Sequence, residues 1–551
     1  MFVSTTLSSS GRIADRPESS SSLSRALGRF AVRRYRLGFT LVLALMAWNV
    51  FAGLGSVSVN DSDEARYGVS AYEMLQNHDW IVTTYGGERE YWNLKPPLGY
   101  WLMALSFSIF GPTPFALRLP AALCGIGAVA VSMALGRRWM GRRASLLTGL
   151  IMATAFGFLS NHGARSGDLD AMLTLLLLLA LWVVSRLGES PWRIVLLGAL
   201  LAVGFLLKSF AILPLILVAA LYAVWSGAWR RQRVLPCLVA LAAFVVPVAA
   251  WAVARCLADG STYFLARMVR EDLLARSTSI IDKVSYSPFG YVGTLFDRFA
   301  PWPLLILAAA FAAAWSQRFR FRSMLSTMRT VTRGKRSLIL LWALVPLVLF
   351  SLSLTQHHWY LDPSYPAWAM LAALAVLALV RRAGPARRSA VLLACAIVPL
   401  ALCEIRVLYR VLIAERMPES QRVLASLAEH RIELGSHLRT GPLRHSERFI
   451  LEAMGGFSVE EDQARPLPAV SSEETPSVLI VKAATGPRPQ PSLGSGIFLE
   501  TRDYLLYQSS SQIAGRSMGR HQRSHGRPAG RHRPRGSHLP AWRPRSRIIP
   551  S

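Results

Sequence analysis

Long apolar runs separated by short clusters of arginine set the pattern of the chain. The runs lie at 38–57, 117–136, 144–160, 170–185, 194–207, 210–226, 234–254, 301–316, 337–354, 364–380 and 389–403. Most approach the ~20 residues that a helix needs to cross a bilayer. Arginine marks their ends: Arg33, Arg34 and Arg36 precede the first run, and Arg137, Arg138, Arg142 and Arg143 follow the second. Arg186, then Arg230, Arg231 and Arg233, then seven basic residues in 318–336, then Arg381, Arg382, Arg387 and Arg388 continue the series. If each run crosses once, every one of these clusters falls on the same side, as the positive-inside rule requires. The pattern predicts an all-α polytopic membrane protein of about eleven transmembrane helices, with 194–207 and 210–226 forming a hairpin.

The opposite, outer face then carries the long loops. Loop 58–116 holds seven acids between Asp61 and Glu90, against Arg66, Arg89 and Lys95 as bases before Pro96. Its apolar stretch 97–111 is short for a span and reads as interfacial or re-entrant. Loop 255–300 is polar, and loop 355–363 is short, with Gln356, His357, His358, Tyr360 and Asp362. The pattern divides the chain into a disordered cytoplasmic tail (1–36), a membrane domain (37–403), a small soluble α/β domain (404–511) and a disordered basic tail (512–551). The clearest strand in the soluble part runs from Val478 to Val481.

Composition narrows the class. Of 551 residues, 52% are apolar and 17% charged, and the mean hydropathy is +0.33. These values exclude a disordered chain, a fibre or a small disulfide scaffold and disfavour an ordinary soluble enzyme. A net charge of +29 would suggest nucleic acid, but ten of the arginines sit in 512–551, with four histidines and no acid. No nucleic-acid partner is expected. The five cysteines lie in or beside apolar runs without metal-type spacing and read as small hydrophobes.

Candidate chemistry gathers in the outer loops. Directly after the first run stands Asp61-Ser62-Asp63-Glu64-Ala65-Arg66-Tyr67. One reading is a helix start with Asp61 as N-cap, Glu64 closing a capping box, and Tyr67, Ala71, Met74 and Leu75 as a stripe lying on the membrane. That reading does not explain three carboxylates within four residues at a membrane surface, where such groups are costly and usually functional.

These residues, with Asn77-His78-Asp79-Trp80 and Lys95-Pro96-Pro97-Leu98-Gly99-Tyr100-Trp101, resemble the opening loop of the bacterial lipid A aminoarabinose transferases (ArnT-like) and of the related protein O-mannosyltransferases. Gly163-Ala164-Arg165-Ser166-Gly167-Asp168-Leu169-Asp170 resembles that family's second outer loop. Leu207-Lys208 before Pro214 resembles its Lys-containing hairpin, and His358-Trp359-Tyr360 with Pro363 its late Tyr-Pro loop. The motifs occur in order over 55–380.

The resemblance implies a GT-C type glycosyltransferase that moves a sugar from a polyprenyl (undecaprenyl) phosphate to lipid A, another envelope glycan or a protein. The reaction is expected on the periplasmic side of the bacterial inner membrane, by a monomer. Asp63 is then the position for a catalytic base, Asp170 the second carboxylate, with Asp168 as the alternative register, and Glu64 a further carboxylate of the group. The leaving lipid phosphate needs cations; Lys95 and Arg276, with Arg270 second, are the candidates. A lysine beside Pro-Pro also suits simple snorkelling. Tyr67, Tyr100, Lys208, His358 and Tyr360 are candidate substrate contacts.

A divalent metal ion is the one cofactor expected to be compatible, with Asp63, Asp168 and His357 as candidate ligands. The sequence departs from the family at Leu94, where the aminoarabinose enzymes carry a glutamate before Lys-Pro. A transporter or flippase of lipid-linked sugars is the alternative function, but it would place charge within the spans, and few charges lie there.

Overall fold

The computed structural model describes residues 19–280, 286–316, 334–414, 416–427, 437–440, 443–461 and strands at 478–482, 496–500 and 504–508. Helix α1 (Ser19–Phe51) already includes the second half of the expected tail 1–36. Its far half buries Val42, Met46 and Val50. Two cross-links fix it to α5 (Arg142–Ala153): Tyr35 Oη with Ser145 Oγ at 2.9 Å, and Asn49 Nδ2 donating to the Ala153 carbonyl at 3.0 Å.

Loop 58–116 carries α2 (Asp63–Asn77), a two-stranded hairpin of β1 (Thr84–Tyr85) and β2 (Glu88–Arg89), and α3 (Leu98–Phe110). At ~1.5 Å per residue, the 13-residue α3 is too short to cross a bilayer. The start of α2 differs from the expected capping box. Ser62 occupies the N-cap without a side-chain bond, and Asp61 instead accepts from the Ser446 amide at 2.9 Å. Tyr67, Ala71 and Met74 do not lie on lipid. They are buried within the protein, where α2 packs on α3 and Gly68 meets Phe449.

Helix α4 (Pro114–Met140) opens with Thr113 accepting from Ala116 N at 3.2 Å and with proline in the first turn, both favoured there. Next come α6 (Asp170–Val184), α7 (Arg193–Lys208), α8 (Leu213–Ser226) and α9 (Val234–Asp259). The apolar stretch Arg193–Ser226 breaks at Lys208–Ser209, where Ser209 has φ 43°. Its ends come together: Arg193 reaches the Arg186 carbonyl at 3.0 Å and Arg231 the Gly188 carbonyl at 2.7 Å. The stretch is therefore a hairpin with Lys208 at its tip. α7 and α9 touch closely because residue 198 is glycine; a Cβ there would lie 2.2 Å from the Ala240 carbonyl oxygen.

The remaining long helices are α10 (Trp302–Ser316), α11 (Lys335–Ser351), α12 (Tyr365–Arg382) and α13 (Val398–Tyr409). Among the described residues, five helical stretches are long and apolar enough to cross a membrane, the hairpin Arg193–Ser226 counted as one of them, and a sixth results if the pair Gly290–Arg298 and Trp302–Ser316, bent by 105°, counts as one span. Basic helix ends collect together. Arg138 stands 3.9 Å from Glu189, and Lys335 lies within electrostatic reach of Arg138, Arg186 and Arg193.

Beyond α13, β3 (His437–Thr440), β4 (Ser458–Glu461), β5 (Val478–Lys482), β6 (Gly496–Glu500) and β7 (Tyr504–Gln508) form one mixed sheet in the order β4-β3-β5-β7-β6. β3 runs parallel to β4 and β5, and β7 antiparallel to β5 and β6. The expected strand at 478–481 is β5. Tail 512–551 lies outside the described residues.

Candidate active site

The first turn of α2, the loop before α6, the tip of the α7–α8 hairpin, the helical turns at 269–278 and the segment before α12 converge on one cavity of about 510 Å³. Asp63, Lys95, Asp170, Lys208, Asp272 and Arg276 line its polar end. Leu173, Leu177, Leu215, Val218, Leu349 and Phe350 line the rest. A charged end joined to an apolar channel suits a ligand with an anionic head and a hydrocarbon tail.

The charges are arranged in pairs. Lys208 Nζ stands 2.5 Å from Asp170 Oδ2, both side chains almost fully buried. Lys95 Nζ stands 2.5 Å from Asp272 Oδ2, and Arg276 Nε donates to Asp272 Oδ1 at 3.1 Å. Arg276 Nη1 also donates to Tyr360 Oη at 3.1 Å. Burial pushes the Asp272 carboxyl up, but Lys95 and Arg276 outweigh it and hold the group below the usual carboxylate range.

The third pair is His162 and Asp168, 3.3 Å apart, with Ser166 Oγ also donating to Asp168. Burial lowers the affinity of the His162 imidazole for a proton, but the carboxylates of Asp168, Asp170 and Asp63 outweigh it and hold its pKa above the usual value. The ring is stacked on Trp359 at 3.7 Å, and His357 stacks on Trp359 at 4.3 Å. The loop closes tightly at Gly163, where a Cβ would meet the Phe158 carbonyl oxygen at 2.2 Å. One ligand atom from each of Asp63, His162 and Asp168 lies within 4.8 Å of the others, so these three could hold a divalent ion. His357 is not in that group; His162, one residue before the motif at 163–170, takes the expected histidine position.

The structure thus brings Asp63, Asp170, Lys95, Arg276, Lys208, His357 and Tyr360 to one cavity wall. Six other candidates stay off it. Arg270 points to the exposed side of its helical turn. Asp168 sits behind the wall on His162. His358 is not in the cavity lining, its ring edge-on to that of His162 at 6.2 Å. Tyr67 and Tyr100 pack edge to face at 5.5 Å in the core beneath the site.

Glu64, read as a catalytic carboxylate, is fully buried beside the site and saturated with donors. Arg118 Nε reaches it at 2.6 Å and Nη2 at 3.1 Å, and the amides of Gly167 and Asn60 at 2.8 Å each. It ties the start of α2 to the 163–170 loop and to α4, so its place is structural.

Sequence reasoning missed Asp272, His162 and Trp92. Asp272 had a legible signal, since it lies four residues before Arg276 on one helical face. Trp92 lines the cavity with Arg66 stacked against it at 3.9 Å, which no local pattern announces.

The fold is one already seen among solved structures. It aligns with a crystal structure of ArnT from Cupriavidus metallidurans bound to undecaprenyl phosphate, at a TM-score of 0.63 and 20% identity, covering 85% of this chain and 97% of that one. The apo form of the same protein aligns at 0.62 and 21% identity, over 88% and 99%.

At the sequence level, residues 94–251 match the dolichyl-phosphate-mannose-protein mannosyltransferase family. The chain is similar to an undecaprenyl phosphate-alpha-4-amino-4-deoxy-L-arabinose arabinosyl transferase of Pseudomonas aeruginosa (strain UCBPP-PA14), 30% identical over 344 residues. That alignment covers 60% of this chain and 58% of the relative's length. The enzyme of the same name from Pseudomonas savastanoi pv. phaseolicola is 29% identical, over 62% of each chain. The resemblance read from the loop motifs agrees with all of these matches.

Proposed function

We propose that the protein transfers a sugar from a polyprenyl-phosphate donor, undecaprenyl phosphate in kind, to lipid A or another envelope acceptor. The observation that carries this reading is the cavity of about 510 Å³ with charged residues and an apolar lining, in a chain whose relatives are named for that donor. In this reading the isoprenoid tail lies along Leu173, Leu177, Leu215 and Val218, and its phosphate sits at Lys95 and Arg276. As the glycosidic bond breaks, negative charge grows on the phosphate, and fixed cations stabilise it. Asp272 holds both cations in place. Asp63 faces the sugar from the other end as base or orienter of the acceptor oxygen, and Lys208 with Asp170 and Tyr360 frame the sugar.

A divalent ion at Asp63, His162 and Asp168 would supply Lewis acidity to that oxygen; the residues fit such an ion by type and spacing. The arrangement extends to eleven spans in the bacterial inner membrane, with 37–403 as the membrane domain. The cavity and an α/β domain over 404–511 face the periplasm, and the enzyme works as a monomer. The relatives compared above are named as transferases, which supports transfer.

The test is transfer by purified protein from a polyprenyl-phosphate sugar, with mass spectrometry of lipid A and envelope glycans from cells with and without the gene. Absence of any sugar-dependent difference in both would overturn the reading. Reporter fusions after residues 330 and 450 should report opposite compartments.

A further inference from the structure

The segment 90–95 brings Lys95 to the cavity, and Glu90 fixes its shape. Glu90 Oε1 accepts from the amides of Trp92 at 2.6 Å and Asn93 at 3.1 Å, and the Lys95 amide donates to the Asn93 carbonyl at 2.8 Å. Arg66 of α2 holds Glu90 in turn, with Nη2 donating to the two carboxylate oxygens at 3.2 and 3.0 Å. Its guanidinium lies 3.9 Å over the ring of Trp92, which lines the cavity. The other amino group of Arg66 meets a residue from far along the chain. Nη1 stands 3.5 Å from Nε2 of His445, in the helical turns between β3 and β4. On its opposite side the His445 ring is held by Tyr85 Oη, 2.6 Å from Nδ1.

These partners fix the state of the ring. A guanidinium has donors and no acceptor, so Nε2 carries the lone pair and the proton of the neutral imidazole sits on Nδ1, donated to Tyr85 Oη. A second proton would set N–H against N–H and a cation beside a cation. Charged and titratable groups reach the ring from each side: Asp61 and Arg66 from the start of α2, Tyr85 and Glu90 from the β1–β2 hairpin, and Arg448 from its own turn. Arg448 is itself paired with Glu452 and Glu461. Helix Glu419–Leu427, which also packs on this turn, carries Arg422 at an exposed position. Burial and Arg66 lower the affinity of the ring for a proton, and Arg448 adds to them; Asp61 and Glu90 pull the other way without restoring the usual value.

We infer that neutral His445 is a positioning residue for the donor phosphate: it holds Arg66 against Glu90 and Trp92, and through them sets the segment from which Lys95 reaches the cavity. The inference rests on the transferase reading, from which it takes the phosphate at Lys95. His445 is not in the cavity lining, so it acts through its neighbours. The link also makes donor binding sensitive to pH. The contribution of His445 is fully present above the ordinary histidine value near 6.5 and is lost as pH falls from there toward the lower value of the docked ring.

The test uses the full chain in lipid nanodiscs and undecaprenyl phosphate as the probe, with binding read from tryptophan fluorescence at pH 8 and pH 5. His445→Gln keeps an acceptor for Arg66 and cannot charge; His445→Lys carries a charge at both pH values. A phosphate monoester takes up its second proton at about pH 6, so affinities are compared between variant and wild type at each pH, where that change cancels. At pH 8 His445→Gln should bind within about twofold of wild type; at pH 5 it should bind about threefold tighter or more, the order expected of a residue acting through a neighbour. His445→Lys should already be about threefold weaker than wild type at pH 8. In turnover the donor KM should follow the same pattern and the acceptor KM should not.

A purely architectural role for His445 would change membrane abundance and Tm and leave the ratio of affinities the same at both pH values. Should His445→Gln be scarce, Tyr85→Phe frees the ring to turn from Arg66, and its affinity relative to wild type should likewise be higher at pH 5 than at pH 8. A ratio independent of pH, or a His445→Lys protein with wild-type affinity at pH 8, overturns the assignment. Protein that transfers no sugar but shows the pH-dependent ratio would overturn the transferase reading and keep His445 as the positioning residue of a lipid-phosphate site. Active protein with a flat ratio would do the reverse.

Discussion

Adjacent residues Asp63 and Glu64 offer a clean separation of chemistry from architecture. Glu64 is fully buried and accepts four hydrogen bonds, two of them from the equally buried Arg118. Glu64→Gln keeps the shape, removes the charge opposite a buried guanidinium and turns one acceptor into a donor facing donors. Breaking a buried pair in this way costs about 3–5 kcal/mol, a large share of the ~5–15 kcal/mol that holds a typical domain together. Asp63 is only half-buried, and among the described residues no hydrogen bond or ion pair reaches its carboxylate. Asp63→Asn should therefore change stability by less than ~0.5 kcal/mol, as a polar substitution away from packed contacts does. Loss of a general base should nevertheless lower transfer by roughly 10²–10⁴-fold. Membrane abundance and the apparent Tm in detergent, together with transfer rate, give both axes. The expected outcome is an abundant, inactive Asp63→Asn and a scarce or heat-labile Glu64→Gln whose surviving fraction retains some activity. A fully active Asp63→Asn would refute the catalytic assignment, and a Glu64→Gln as stable as wild type would refute the structural one.

Other outcomes follow from the same geometry. Lys95→Ala and Arg276→Ala should each raise the donor KM tenfold or more, the scale of a lost charge-assisted contact; Arg270→Ala, at an exposed position, should leave it within twofold. Asp272 has a depressed pKa, so its stabilisation is fully present above the ordinary carboxylate value near 4. It is lost only as pH falls further, through the lower folded value; the Tm gap between wild type and Asp272→Asn should be flat from pH 8 to about 5 and close below about 4. A divalent ion at Asp63, His162 and Asp168 should be detectable as saturable manganese or zinc binding that His162→Ala weakens by ~10-fold or more, on the scale of losing one of three ligands; identical binding in the variant would dismiss the site.

Much of the fold was legible because a membrane constrains sequence on two scales at once, apolar length and arginine placement. The 193–226 hairpin illustrates this: its length exceeds one crossing and both ends carry arginine, and Arg193 and Arg231 indeed meet the same 186–188 turn. The site was legible where charge stood beside a turn or proline, as at Asp63, Lys95 and Lys208. It was not legible where a role depends on what the side chain meets after folding. Glu64 and Asp63 are indistinguishable in sequence, yet the helical turn aims one at the cavity and the other at Arg118, some fifty residues away. Asp61 is likewise claimed by the distant Ser446 amide rather than by the local cap.

The charge pattern of the cavity carries the last step. Asp170 is matched by Lys208, and Asp168 by His162, so the middle of the polar end is close to neutral. Asp272 faces two cations, Lys95 and Arg276, which makes this group rich in cations. Asp63, with no hydrogen bond or ion pair among the described residues, adds a carboxylate beside the His162–Asp168 pair, its ligand atom within 4.8 Å of theirs. Glycosyl transfer from a lipid phosphate creates charge of this polarity: negative on the departing phosphate, positive on the sugar carbon, with a proton leaving the acceptor. A neutral cavity would have to reorganise its dipoles as the bond breaks. One polarised in advance, and walled by apolar helices that exclude water, does not. The pairing therefore does more than make burial of the charged side chains tolerable, because the cation-rich group of Lys95, Asp272 and Arg276 and the carboxylate of Asp63 give the site its direction.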